Sequence, residues 1–123
     1  MLTIEMLSDG PYKLGETIRG KLIWRPDGET KYKGATVKLG WRTEGRGTQQ
    51  KVDVAGLEGK ESGQVDGRDG LDIDFEFAVP VTGPASYNGS LLRIIWSISG
   101  RIDIPWAIDD KASVDIMIND TSA

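Results

Sequence analysis

The chain contains no cysteine and no histidine. Without cysteine there is neither a disulfide nor a thiolate nucleophile, and the redox compartment is left open. Without histidine the commonest general base and the commonest zinc ligand are missing, so nucleophilic triads and the usual zinc sites are excluded. No apolar run reaches the roughly 20 residues that a membrane-spanning helix needs. The N-terminal stretch Met1-Leu2-Thr3-Ile4-Glu5-Met6 lacks the basic segment and long apolar core of a secretion signal, so the expectation is a cytoplasmic chain with no integral membrane segment. An excess of positive charge is also lacking: 15 basic against 19 acidic residues leave a net charge of −4. The densest basic segment, 19–25, only places Arg19, Lys21 and Arg25 on one strand face, which reads as a solvated face and not a nucleic-acid track. Nucleic acid is not an expected partner.

What is present is the composition of a globular domain. The 123 residues, 38% hydrophobic and 28% charged, suit one domain over 1–123 that buries about two-thirds of the surface of its unfolded chain without staples. The 16 glycines cluster between apolar runs, as in many short strands joined by turns. Leu2, Ile4 and Met6 alternate with polar neighbours. So do Ile18, Leu22 and Trp24, then Val37, Leu39 and Trp41, then Leu71, Ile73, Phe75, Phe77 and Val79, and finally Val114, Ile116 and Ile118. Each set has one oily and one wet face, the pattern of half-buried antiparallel strands. No segment repeats its apolar positions at helical spacing. The expected fold is an all-β, two-sheet antiparallel β-sandwich.

The stretch 87–109, "YNGSLLRIIWSISGRIDIPWAID", carries the strongest apolar run. Leu92, Ile94, Trp96, Ile98, Ile102 and Ile104 share one phase with Gly100 between them, which predicts one long strand bent at Gly100, where a chain can cross between sheets. The segment "EGRGTQQ" (44–50) predicts a hairpin, and "EGKESGQVDGRDG" (58–70) predicts an open loop or hairpin tip.

The sequence also resembles the arrestin-like β-sandwich family, which includes arrestins, α-arrestins, the arrestin-like subunit of retromer and bacterial sporulation-control proteins. The resemblance rests on Gly15-Glu16 before a strand, Pro80 closing another, Tyr87-x-Gly89 leading into the long strand, and Trp106-Ala107 followed by Asp109. It is similar to a single domain of the sporulation-control type or to the N-terminal domain of α-arrestins. It implies a non-enzymatic adaptor or scaffold module that binds other proteins through loops or an exposed sheet edge, with no cofactor. The basic phosphate sensor and the charged interdomain core of classical arrestins have no matching residues here, so binding of phosphorylated receptors is not implied.

Candidate sites follow. Asp72, Asp74 and Glu76 share a strand face, but a carboxylate row opposite Leu, Ile and Phe is the wet side of a strand and does not make a glycosidase pair. Trp24, Trp41 and Trp96 lie on apolar phases and read as core, whereas Trp106 follows Pro105 at a break in the pattern and is the tryptophan expected at the surface. Tyr12 and Tyr32 lie in polar turns and are candidate surface anchors for a protein partner, together with Trp106, Asp109 and Asp110. Tyr87 is expected to tie its hydroxyl to the backbone. Residues 2–7 and 112–118 are candidate sheet edges, open to a partner strand or to a second copy of the chain. The alternative reading, from a different class, is a glycan- or Ca²⁺-binding module that uses loops 58–70 and 106–111, with Asp66, Asp69, Asp72 and Asp74 as oxygen donors and Asp109 and Asp110 nearby.

Overall fold

Period-two alternation decides which segments become strands, and the computed structural model, which describes residues 1–47, 49–65 and 68–120, places a strand at every such segment. In chain order the elements are β1 (Leu2–Met6), β2 (Tyr12–Lys13), β3 (Thr17–Trp24), β4 (Thr30–Gly45), β5 (Lys51–Val65), β6 (Leu71–Ala78), β7 (Tyr87–Asn88), β8 (Leu92–Asp103), β9 (Asp110–Ile116) and β10 (Ile118–Asn119). No helix occurs among the described residues, so none is long and apolar enough to cross a membrane.

The strands form two layers. The smaller sheet has the order β1-β3-β6, and the larger has the order β5-β4-β8, with β7 and β9 sharing the remaining side of β8. Both sheets are antiparallel throughout; the exception to the antiparallel rule is a short parallel pair, β2 with β10. β1 lies over β9 and β6 over β5, so the layers are stacked edge above edge. Between them Ile18, Leu22 and Trp24 of β3 and Ile73, Phe75 and Phe77 of β6 meet Val37 and Leu39 of β4 and Trp96, Ile98 and Ile102 of β8. These are the phases predicted to face inward. Their burial supplies the dominant stabilising term, at about 25 cal/mol per Å² of apolar surface removed from water.

The Gly-Glu and Pro positions of the family resemblance meet in space. Gly15 takes φ +86°, which a side chain would strain, and its N–H donates to the Val79 carbonyl at 2.9 Å. The Val79 N–H donates to the Glu16 carbonyl at 2.9 Å, extending the β3–β6 ladder until Pro80 ends it. The hairpin at 44–50 forms as predicted: Thr43 N–H donates to the Gln50 carbonyl at 2.9 Å, and Gln50 N–H to Thr43 Oγ1 at 2.8 Å.

Two expectations are corrected. The polar segment 58–70 is strand as far as Val65, because its backbone pairs with the start of β4 down to Thr30↔Val65. An edge strand needs no alternating oily face to be held by such a ladder, so its polar, glycine-rich composition misleads; Asp66 and Gly67 lie outside the described residues. Gly100 does not carry the chain across to the other sheet. β8 keeps one register with β4 and β9 through Gly100, opposite Val37 and Ala112. The glycine is needed for close approach of the layers: a Cβ there would lie 2.5 Å from Leu22 Cδ1.

Candidate protein-interaction surface

Six residues, 104–109, connect β8 to β9 at the end of the sandwich where β3 finishes with Trp24. Pro105 fixes its own φ and removes a donor, and Trp106 is driven to φ 63°. That left-handed conformation costs an L-residue about 1–2 kcal/mol, so something must hold it. Asp109 holds it. Its Oδ1 accepts the Ile104 N–H at 3.1 Å, and its Oδ2 accepts Arg101 Nε at 2.6 Å and pairs with Arg101 Nη2. The carboxylate thus closes the loop onto its own first residue. The Ile104 N–H, then the Arg101 guanidinium, hold its carboxyl below the ordinary aspartate range.

The next residue points inward. Asp110 Oδ2 accepts the indole N–H of Trp24 at 2.7 Å, giving a buried ring the partner it requires. With both aspartates engaged, the side chains left at the tip are Trp106, Ala107 and Ile108, and Trp106 and Ile108 are 103% and 92% exposed. Two large apolar groups are therefore displayed on a backbone that is already fixed. Such an anchor loses little ordering entropy when it enters a pocket.

Of the five candidate anchor residues, the structure thus presents Trp106 to solvent. Tyr12 is 2% exposed, because β2 is covered by its parallel pairing with β10, Tyr12↔Ile118. Tyr32 is 7% exposed and meets Trp24 edge-on at 5.7 Å between ring centroids. β4 changes phase between Tyr32 and Ala35: Tyr32 faces inward from an even position, Ala35 and Val37 from odd ones. Neither tyrosine is a surface anchor. Asp109 and Asp110 serve the loop and the core. The hydroxyl-to-backbone tie expected of Tyr87 is made instead by Tyr12, which donates to the Ser8 carbonyl, while Tyr87 is half exposed with its ring over Gly89.

Of the residues named for a Ca²⁺ or glycan site, Asp66 lies outside the described residues. Asp72 accepts Arg25 Nη1 at 2.8 Å, which holds its carboxyl below the ordinary range, and lies on β6. Among the described residues no three acidic side chains converge. Trp106 also has no second exposed indole beside it, since Trp24 and Trp96 are buried and Trp41 is half-buried.

Two features escaped the sequence reading. Ile108 fell outside any alternating run, and only that break with an apolar residue marked it. The second is a hollow of about 550 Å³ on the outer face of the larger sheet, where cations from four strands gather. Its members are 73 positions apart at the extremes, Lys38 and Lys111, so no linear stripe announced it. The predicted edges are where they were expected: β1 ends the smaller sheet, and β9 ends the larger one over most of its length.

No protein-family model and no curated protein matches the chain. Among solved structures it is similar to Spo0M, a sporulation control protein from Bacillus subtilis, with a TM-score of 0.77 at 13% sequence identity. The match takes in 96% of this chain and 48% of that one, so the chain spans about half the length of Spo0M. The fold is therefore arrestin-like, as the Gly-Glu, Pro, Tyr-x-Gly and Trp-Ala-x-Asp positions implied.

Proposed function

We propose that this arrestin-like domain is a non-enzymatic protein-interaction module, an adaptor or scaffold component, whose Trp106 and Ile108 enter an apolar pocket on a protein partner. One observation carries the reading: a fully exposed indole sits in a left-handed backbone conformation that Asp109 holds from within the chain. A strained, exposed tryptophan serves no purpose in the core. The likeness to a sporulation control protein favours a regulatory role over a metabolic one. The absence of histidine and cysteine from the sequence supports a role without catalysis. A cytoplasmic setting belongs to the same proposal. So does self-association through the open edges of β1 or β9, which light scattering would remove by giving a monomer at high concentration.

The test uses Trp106→Gly. Glycine accepts the left-handed conformation freely, so the variant should melt at or above the wild-type temperature while losing the anchor. Affinity capture from the source cells should give a protein retained by the wild type and lost, at least tenfold, by Trp106→Gly and by Ile108→Ser. Identical captured sets from wild type and variants would overturn the proposal.

A further inference from the structure

The outer faces of the two sheets carry charge differently. On the smaller sheet the charges are matched in register: Arg19 bonds Glu76 at 3.0 Å, Arg25 bonds Asp72 at 2.8 Å, and Lys21 stands between Glu5 and Asp74. The larger sheet is not matched. Its hollow of about 550 Å³ is lined by Lys38, Arg42, Lys51, Arg101 and Lys111, with Asp53 the carboxylate among the lining residues. This concentration of cations belongs to a chain whose net charge is −4.

The hollow exists because its floor is made of small residues. Gly40 has no side chain, and a Cβ there would lie 2.5 Å from the Val52 carbonyl oxygen. Ser97, Ser99 and Ser113 supply short hydroxyls beside it. Register shifts of β4 against β5 at Ala35/Thr36 and Leu39/Gly40 add local twist and curl the sheet around that floor. Long cationic side chains then stand at the rim.

The cations are unequally engaged. Arg42 is held by Asp115 at 3.2 Å and Glu44 at 3.0 Å, which raise its pKa, and Arg101 is held by Asp109. Lys38 reaches Asp53 only at 3.5 Å. Lys51 and Lys111 make no side-chain hydrogen bond or ion pair with any described residue. They stand on β5 and β9, three inter-strand spacings or about 14 Å apart across the sheet. Lys51 is level with Arg42 and Ile95, and Lys111 with Arg101, so they are also six residues or about 20 Å apart along the strands, which makes about 24 Å on the diagonal. An extended chain covers that diagonal in about seven residues.

We propose that this hollow binds an acidic, extended peptide segment of a partner protein, laid diagonally over β5-β4-β8-β9 with carboxylates at the two ends meeting Lys51 and Lys111. The serine floor offers hydroxyls to the peptide backbone between them. The concavity favours a peptide over a flat bilayer surface. The carboxylates of Glu44, Asp53 and Asp115, which bracket the hollow, would oppose the continuous phosphate chain of a nucleic acid. The hollow adjoins the 104–109 loop through the Arg101–Asp109 pair, but Trp106 and Ile108 do not line it.

The probe is fluorescein-labelled octaglutamate, followed by anisotropy at low ionic strength. Binding should weaken steeply with added salt, should fall at least tenfold in Lys51→Glu/Lys111→Glu, and should stay within twofold of wild type in the charge-matched control Lys13→Glu/Lys21→Glu. Amide shifts on titration should centre on Ser97, Ser99 and Ser113. Trp106→Gly should leave this binding unchanged, so failure at the loop and failure at the hollow are separate results. Absence of binding at millimolar peptide would overturn the proposal, as would equal losses in the two double variants. Phosphatidylserine vesicles or polyuridylate that bind the hollow and are not displaced by octaglutamate would also overturn it.

Discussion

Gly100→Ala tests how closely the two layers are fitted. Gly100 is buried in β8 with β4 and β9 on its two sides, and its φ is not left-handed, so the backbone itself would accept alanine. Alanine should even gain about 0.5–1 kcal/mol by lowering the entropy of the unfolded chain. The contact reverses the sign. The added Cβ would lie 2.5 Å from Leu22 Cδ1 and 3.3 Å from Leu22 Cδ2, whereas carbon atoms rest at about 3.5–4.0 Å. Leu22 is 0% exposed, so it has nowhere to swing without displacing β3. Overpacking of this kind costs about 1–3 kcal/mol. The net expectation is a loss of about 1–2 kcal/mol. For 123 residues that is a fall of about 4–8 °C in Tm, taking about 2.1 cal/mol/K per residue for the entropy of unfolding. Leu22→Ala alone should cost about 2–5 kcal/mol through the cavity it leaves. In the double variant the new methyl enters that cavity. Its loss should therefore fall short of the sum of the single losses by about 1 kcal/mol or more. Urea denaturation of the four proteins, followed by circular dichroism, measures the coupling. Additive losses, or a Gly100→Ala protein more stable than wild type, would refute the argument that Gly100 is there for Leu22.

Two further outcomes are expected. Trp24→Phe should cost about 2 kcal/mol, because it removes indole volume from the core and the N–H that Asp110 accepts at 2.7 Å; Asp110→Asn, which keeps an acceptor oxygen, should cost clearly less in the same urea titration. Asp109 has a folded-state pKa below its unfolded one, so its contribution is complete above the unfolded value of about 3.9 and is lost as pH falls through the folded value. Wild type should therefore exceed Asp109→Ala in Tm at neutral pH and converge with it in acid, and a gap that is constant with pH would refute this.

Much of the fold was legible because period-two alternation is a local property. Leu71, Ile73, Phe75 and Phe77 face the core from β6 as their spacing required. What misled was polarity taken as a sign of loop. The segments 30–34 and 58–65 are polar and glycine-rich yet form the long outer arms of β4 and β5, each held by the other's backbone. Tyr12 and Tyr32 looked like surface residues for the same reason, yet both belong to the core, Tyr12 beside β10 and Tyr32 edge-on to Trp24. At the candidate site, Trp106 was marked by Pro105 and the broken pattern, but the inward turn of Asp110 depended on Trp24, 86 positions away.

The sequence by itself determined the class of fold, the inward phase of each major strand, the hairpin at 44–50 and the exposure of Trp106. It also removed histidine and cysteine chemistry, because a missing side chain can be read without coordinates. Only the tertiary structure decided which aspartates were engaged, why residue 100 is glycine, and that Lys38, Arg42, Lys51, Arg101 and Lys111 share one hollow. The physical reason is sequence separation. Alternation and turn chemistry act between neighbours in the chain, whereas a charge cluster or a sheet-to-sheet contact is made by strands that meet only after folding.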